Sequence, residues 1–204
     1  MSNASKVAIF IDGNNLFHAA RGVNLEIDYA SLLTFLQREE YLVRAAFYTG
    51  VKTGYDDGAS RQQGFIYWMR RNGFHVIEKQ LRRSFDGSYR ADLSVEIACD
   101  MLMISREVDR IVLVSGADEF SYALQTISRT GCRVEIATFH SSLSPRLLEN
   151  SDAFLDLENN IDLIAKNPKD YTPKSSQRHD DGGDEEDYDD DEYYDEDDYE
   201  DDEA

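Results

Sequence analysis

Lys6–Ile11 (KVAIFI) and Arg110–Val114 (RIVLV) decide the fold. Both are short, almost wholly apolar runs of strand length, and neither alternates apolar with polar residues. Runs of that kind are strands buried on both faces, as at the centre of a parallel sheet. Outward from them the chain alternates strand and helix. KVAIFI turns at Asp12-Gly13 into a helical stretch, Asn14–Ala20. Asp28 reads as the N-cap of a helix with Leu32, Leu33 and Leu36 on one face. Tyr41–Tyr48 is a strand. Phe65, Trp68 and Met69 show helical spacing within 59–72, closed by Asn72-Gly73. Phe74–Gln80 is a strand, Ala91–Arg106 the strongest helix, and Glu119–Thr130 a helix after RIVLV. Arg133–Thr138, Pro145–Asn150 and Ala153–Leu157 complete the series as strand, helix and strand. This order predicts an α/β fold: a mainly parallel central sheet flanked by helices on both faces, joined by right-handed crossovers.

The 204 residues carry 21 basic and 41 acidic side chains, a formal charge of -20. The excess is local. Asp180–Glu203 holds 18 Asp or Glu and no Lys or Arg, and without them 23 acids face the same 21 bases. The chain is therefore expected to divide into a domain over 1–165, a linker over 166–179 with Pro168 and Pro173, and an acidic tail over 180–204. Lacking aliphatic residues before Ala204, the tail cannot offset its ordering entropy and is expected to be disordered. No apolar run approaches the length of a membrane span, and the polar start MSNASK does not resemble a signal peptide. Cys99 and Cys132 match no disulfide framework or C-x-x-C motif, and their apolar neighbours predict two buried, reduced thiols. These features point to a soluble cytoplasmic protein without membrane association.

Chemistry is expected beyond the carboxyl ends of the strands, where open parallel sheets bind ligands at the switch in strand order. Those ends carry acids. The first strand runs into Asp12-Gly13-Asn14-Asn15, and RIVLV runs through Ser115-Gly116 into Ala117-Asp118-Glu119. Between them, Asp92, Glu96 and Asp100 recur every four residues along one helix edge. Carboxylates that converge repel one another unless a cation neutralises them. Oxygen-only ligands suit Mg2+ or Mn2+ rather than zinc, and such an ion supports in-line displacement at a phosphodiester. Each acid also has a plainer role: Asp12, Asp92 and Asp118 as turn or helix caps, Glu96 and Asp100 as a solvated edge. Gly13 and Gly116 suit tight turns as well as phosphate contacts, and no G-x-G-x-x-G or Walker pattern supports a nucleotide cofactor.

VAIFIDGNNLF, RADLSVEIACDML and IVLVSGADEF followed by GCRVEIATF together resemble the NYN domain, within it the LabA-like branch. The resemblance covers about residues 6–157. It implies a PIN-like fold and the activity of metal-dependent ribonucleases, with RNA, single-stranded or structured, as the partner. It further implies that Asp12 and Asp92 bind the metal, that Asn15 orients the first acid or a phosphate, and that Asp100 is the second acid of the helix motif. Asp118 or Asp100 would complete the shell, giving Asp12, Asp92, Asp118 and Asp100 as catalytic candidates and Asp12, Asp92 and Asp118 as metal ligands. The chain departs from the family's S-G-D-x-D-F. Ala117 and Glu119 stand at the acidic positions, so one acid is lost and the other lengthened by a methylene. A catalytically weak regulatory module acting through RNA or protein contacts is the alternative reading.

Lys79–Arg90 (KQLRRSFDGSYR) carries four basic and two aromatic residues just before Asp92. Arginines for phosphates and aromatics for bases are the ingredients of single-strand binding, so Arg82, Arg83 and Arg90 are expected to hold the RNA backbone. The plainer reading is a solvated hairpin or loop. The acidic tail serves solubility, recruits a basic protein partner, or folds back on these arginines as a nucleic-acid mimic. The oligomeric state is open.

Overall fold

A computed structural model describes residues 4–52, 57–83 and 89–171. The expected acidic tail and most of the expected linker lie outside the described residues. In chain order the elements are β1 (Lys6–Asp12), α1 (Gly13–Gly22), α2 (Tyr29–Gln37), β2 (Tyr41–Val51), α3 (Asp57–Arg71), β3 (His75–Gln80), β4 (Arg82–Arg83) and β5 (Tyr89–Arg90). There follow α4 (Ser94–Ile104), β6 (Arg110–Val114), a 3-10 turn (Asp118–Phe120), α5 (Ser121–Ser128), β7 (Arg133–Thr138), α6 (Pro145–Glu149), β8 (Ala153–Asp156) and α7 (Ile161–Ile164).

Six strands form a parallel sheet in the order β3-β2-β1-β6-β7-β8. As the unbroken apolar runs imply, β1 and β6 are its centre, and Val7–Ile11 and Ile111–Val114 have no measurable exposure. Alternate β1 side chains feed two cores. Val7, Ile9 and Ile11 pack with Leu16, Leu32, Ile66 and Ile161 of α1, α2, α3 and α7. Ala8 and Phe10 pack with Ile97, Met101, Leu124 and Leu147 of α4, α5 and α6. The sheet is thus covered on both faces, as α/β architecture requires.

One expectation is corrected. Cys132 is buried, but Cys99 is exposed on α4. The helical period there sends Ile97 and Met101 inward, which turns Cys99 to the opposite side. Lys166, the first residue of the expected linker, is bonded to the segment before α2. The Lys166 backbone N–H donates to the Glu26 carbonyl at 3.1 Å, and its ammonium pairs with the Glu26 carboxylate at 2.8 Å.

Strand order reverses between β1 and β6. Outward neighbours follow β1 in one direction (β2, then β3) and β6 in the other (β7, then β8), so the crevice opens at the carboxyl ends of β1 and β6.

Candidate active site

The crevice is built by residues that follow β1 and β6. Asp12 ends β1 in extended conformation and caps α1, its Oδ1 accepting the Asn15 backbone N–H at 3.2 Å. Its Oδ2 accepts the buried Ser115 hydroxyl at 3.2 Å from the end of β6. The Asn15 side chain crosses the same gap, its Oδ1 accepting the Gly116 N–H at 3.0 Å. That bond fixes the amide orientation and directs the Asn15 Nδ2 away from Gly116, with no partner among the described residues. Two glycines permit the close approach. A Cβ on Gly13 would lie 2.7 Å from the Tyr48 carbonyl oxygen, and one on Gly116 would lie 1.8 Å from that of Ser142. Neither position tolerates a side chain, whatever else these glycines touch.

Burial raises the Asp12 carboxyl above the ordinary carboxylate value, against the lowering influence of its bonds to Asn15 and Ser115. The negative charges of Glu119 and Asp92 push it further the same way. Among the described residues no Lys or Arg pairs with Asp12. Acids from the turn after β6 and from the segment before α4 therefore act on one half-buried carboxylate at the end of β1.

Asp92 is exposed two residues before α4. Its Oδ1 accepts the Ser94 N–H at 2.8 Å, and the bonds to Ser94 hold its pKa below the ordinary value. Lys79 at the end of β3 anchors this segment, donating to the Asp92 carbonyl at 2.5 Å and to Glu96 at 2.7 Å. Asn14 reaches the Ala91 carbonyl at 3.5 Å from the other side. Sequence reasoning counted Lys79 only among the basic residues of the Lys79–Arg90 stretch and gave Asn14 no role.

Asp100 lies further along α4, where its Oδ2 accepts the Tyr48 hydroxyl at 2.7 Å. Burial, then this bond, raises the Tyr48 hydroxyl pKa. Asp118 is turned towards α6. It accepts the hydroxyls of Ser121 at 2.9 Å and Ser144 at 3.1 Å, and pairs with Arg146 at 3.3 Å. The Ser121 bond first, with Ser144 and Arg146 adding to it, lowers its pKa. The acid of this turn that acts on Asp12 is Glu119. Sequence reasoning noted Glu119 only as a lengthened family acid, and that motif position was the signal for it.

The expected RNA contacts stand at the same edge. The Leu81 N–H donates to the Val51 carbonyl at 2.9 Å, and Leu81 and Ala91 close over Gly50, which roots the antiparallel β4–β5 pair at the end of β2. Arg82 stands directly opposite Arg90 and Arg83 opposite Tyr89, and all four are exposed. Phe85 lies outside the described residues.

The acids that act on Asp12, Glu119 and Asp92, offer a metal only oxygen ligands. Among the described residues no three His, Cys, Asp or Glu form a ready-made metal cage. Magnesium commonly binds through one or two carboxylates, keeping waters and completing its shell with substrate phosphate. Asp12 with Glu119 or Asp92 fits that mode in chemistry and in charge.

The model of the NYN domain matches residues 6–158. The chain belongs to the NYN domain family. The NYN domain is a PIN-like nuclease family, and this chain is a ribonuclease-like NYN domain of the LabA-like kind. It is 32% identical over 170 residues to the Low amplitude and bright protein LabA of Synechococcus elongatus, spanning 79% of this chain and 89% of that one. A crystal structure of a protein of unknown function from Vibrio parahaemolyticus superposes with a TM-score of 0.68 at 26% identity, covering 80% of this chain and 98% of that one. PIN-like nuclease domains of this family are generally dependent on divalent metals. Among the described residues no helix is long and apolar enough to cross a membrane.

Proposed function

We propose that this NYN domain binds RNA and hydrolyses its phosphodiesters with Mg2+ or Mn2+ held at the β1–β6 crevice. Asp12 and Asp92 are the metal acids of this reading, with Glu119 in the place first assigned to Asp118. Asp118 and Asp100 become positioning residues, the one fixing the turn against α6 and the other fixing α4 against Tyr48. The observation that carries the reading is Asp12: a half-buried carboxylate raised by burial, pressed by two other acids and unpaired with any described cation. Such a group is destabilised as an anion until a cation joins it.

A bound divalent ion supplies charge neutralisation for a phosphodiester undergoing in-line displacement. The chain's own residues do the rest. Ser115 and the Asn15 backbone hold the Asp12 carboxylate in one orientation. The free amide N–H groups of Asn15 donate to a phosphate oxygen. Arg82, Arg83 and Arg90 hold the RNA backbone. Arg82 stands opposite Arg90, two exposed guanidinium groups of the kind that bind phosphate. In the same reading the protein works in the cytoplasm, residues 1–165 form the domain, 166–179 the linker, and the 180–204 tail meets a basic protein partner.

Ala117 favours a second reading, a weak or inactive nuclease that regulates through RNA or protein contacts. One experiment separates them. Labelled single-stranded RNA is incubated with the protein and Mn2+, beside Asp12→Asn and beside a chelator. Cleavage abolished by both supports the nuclease. RNA binding without cleavage supports the regulatory module, and neither binding nor cleavage defeats the nuclease and leaves regulation through protein contacts.

A further inference from the structure

Arg146 stands at the rim of the crevice with most of its hydrogen-bonding capacity unused. It follows Pro145 at the start of α6, and its side chain is 70% exposed. A guanidinium carries five N–H donors in a planar fork. Among the described residues this one donates only from Nη1, to Asp118 Oδ2 at 3.3 Å.

Its place is set by contacts that begin at the crevice. Gly116, whose N–H donates to the Asn15 side chain, also accepts the Ser144 N–H at 3.0 Å, and the Ser142 carbonyl closes over it. Arg146 comes two residues after Ser144. Asp118 completes the link from the other direction. It shares its 3-10 turn with Glu119, and its carboxylate is fixed by the hydroxyls of Ser121 and Ser144. Exposed ion pairs add little to stability, and Asp118 is itself 48% exposed. What the arrangement contributes is orientation, a planar cation held beside the crevice with the rest of its fork turned to solvent. Such forks bind phosphate bidentately.

The arginines of the β4–β5 pair stand on the opposite side. That pair is rooted at the end of β2, whereas α6 follows β7 and packs beside the turn after β6. In the sheet, β2 and β7 are three strand spacings apart, about 14 Å, and Asp12 ends β1 between them. A single strand laid across the crevice meets cations on both sides of Asp12.

We propose that Arg146, oriented by Asp118, is a second phosphate anchor for the RNA strand, facing Arg82, Arg83 and Arg90 across the crevice. The strand then runs from the β4–β5 pair over Asp12 to α6, and Asp118 is the positioning residue for the far anchor. This inference rests on the RNA reading above.

The test follows the anisotropy of a labelled single-stranded RNA against the full chain over a series of salt concentrations. Ca2+ replaces Mg2+, so that binding is read apart from hydrolysis. Each phosphate contact to a single strand adds about 0.7 to the slope of log affinity against log salt. Arg146→Ala should bind several-fold more weakly at low salt and lose about 0.7 of that slope, with an unchanged melting curve. Arg146→Lys, which keeps the charge, should keep the slope. Equal slopes for wild type and Arg146→Ala overturn the proposal and leave the RNA reading standing, as does a loss that Arg146→Lys fails to rescue. A wild type that binds no RNA overturns the RNA reading itself, and this proposal with it.

Discussion

Removing Glu135 should destabilise the fold by about 3 kcal/mol while leaving the crevice chemistry intact. Glu135 sits on β7 with its side chain 2% exposed and serves three arginines. Its Oε2 accepts Arg110 Nη1 at 3.0 Å and Arg38 Nη2 at 2.9 Å, and its Oε1 accepts Arg133 Nε at 2.8 Å. Arg110, itself 4% exposed, also binds Glu40 and donates to the Leu36 carbonyl at 2.8 Å. Breaking a buried pair costs about 3–5 kcal/mol when the remaining charge is uncompensated, and Glu40 keeps Glu135→Ala near the lower end, about 3 kcal/mol. A chain of this size loses about 2–4 °C of melting temperature per kcal/mol, so the melt should fall by about 6–12 °C. Calorimetry across pH adds a second reading. Burial alone would raise the Glu135 carboxyl, but Arg133, Arg110 and Arg38 outweigh it and hold it below the ordinary value of 4.5. Its stabilising share is therefore full above that value and is lost as pH falls through the depressed one. The gap between wild type and Glu135→Gln should narrow in acid. A loss under about 1 kcal/mol, the range of exposed pairs, or a gap constant down to strongly acidic pH, would refute the reasoning.

Asp12→Asn should melt higher than wild type at neutral pH without divalent ions. Its raised carboxyl costs stability as pH climbs from the ordinary 3.8 through the folded value, so the gap should open over that range and close below it. Gly116→Ala forces a methyl onto the Ser142 carbonyl oxygen. Overpacking of that kind costs about 1–3 kcal/mol, read by melting, and a displacement of about 1 Å at the crevice should lower any cleavage rate roughly 100-fold. Ala117→Asp, restoring the family acid, should raise cleavage in the Mn2+ assay if the chain is a weakened nuclease, and leave it unchanged if it is a regulatory module.

The sheet was legible where the sequence is least ambiguous. RIVLV and Arg133–Thr138 are strands to the residue, because a run buried on both faces has no alternation to misread. Asp28 caps α2 as its position before an apolar helical pattern implied. The carboxyl-edge location also followed from topology, since the order of strands and helices fixes where a parallel sheet reverses. The turn after β6 was harder. Spacing offers Asp118 and Glu119 equally to the crevice, and Asp118 is captured by Ser121 together with Ser144 and Arg146, the last two 26 and 28 residues further along the chain. Long-range partners of that kind leave no local pattern. The same holds for Arg110, which looks like an ordinary charged residue before an apolar strand and is the centre of a buried network. Cys99 failed differently: its neighbours in sequence are apolar, but the helical period places them on different sides of α4.

The central claim is that a divalent ion binds at Asp12 with Glu119, not Asp118, beside it. Titrating Mn2+ into the full chain and following the free ion by electron paramagnetic resonance tests this without reference to catalysis or RNA. The account predicts binding by wild type and by Asp118→Asn, and marked weakening in Asp12→Asn and Glu119→Gln. Binding that survives Asp12→Asn, or that Asp118→Asn abolishes while Glu119→Gln does not, would contradict it.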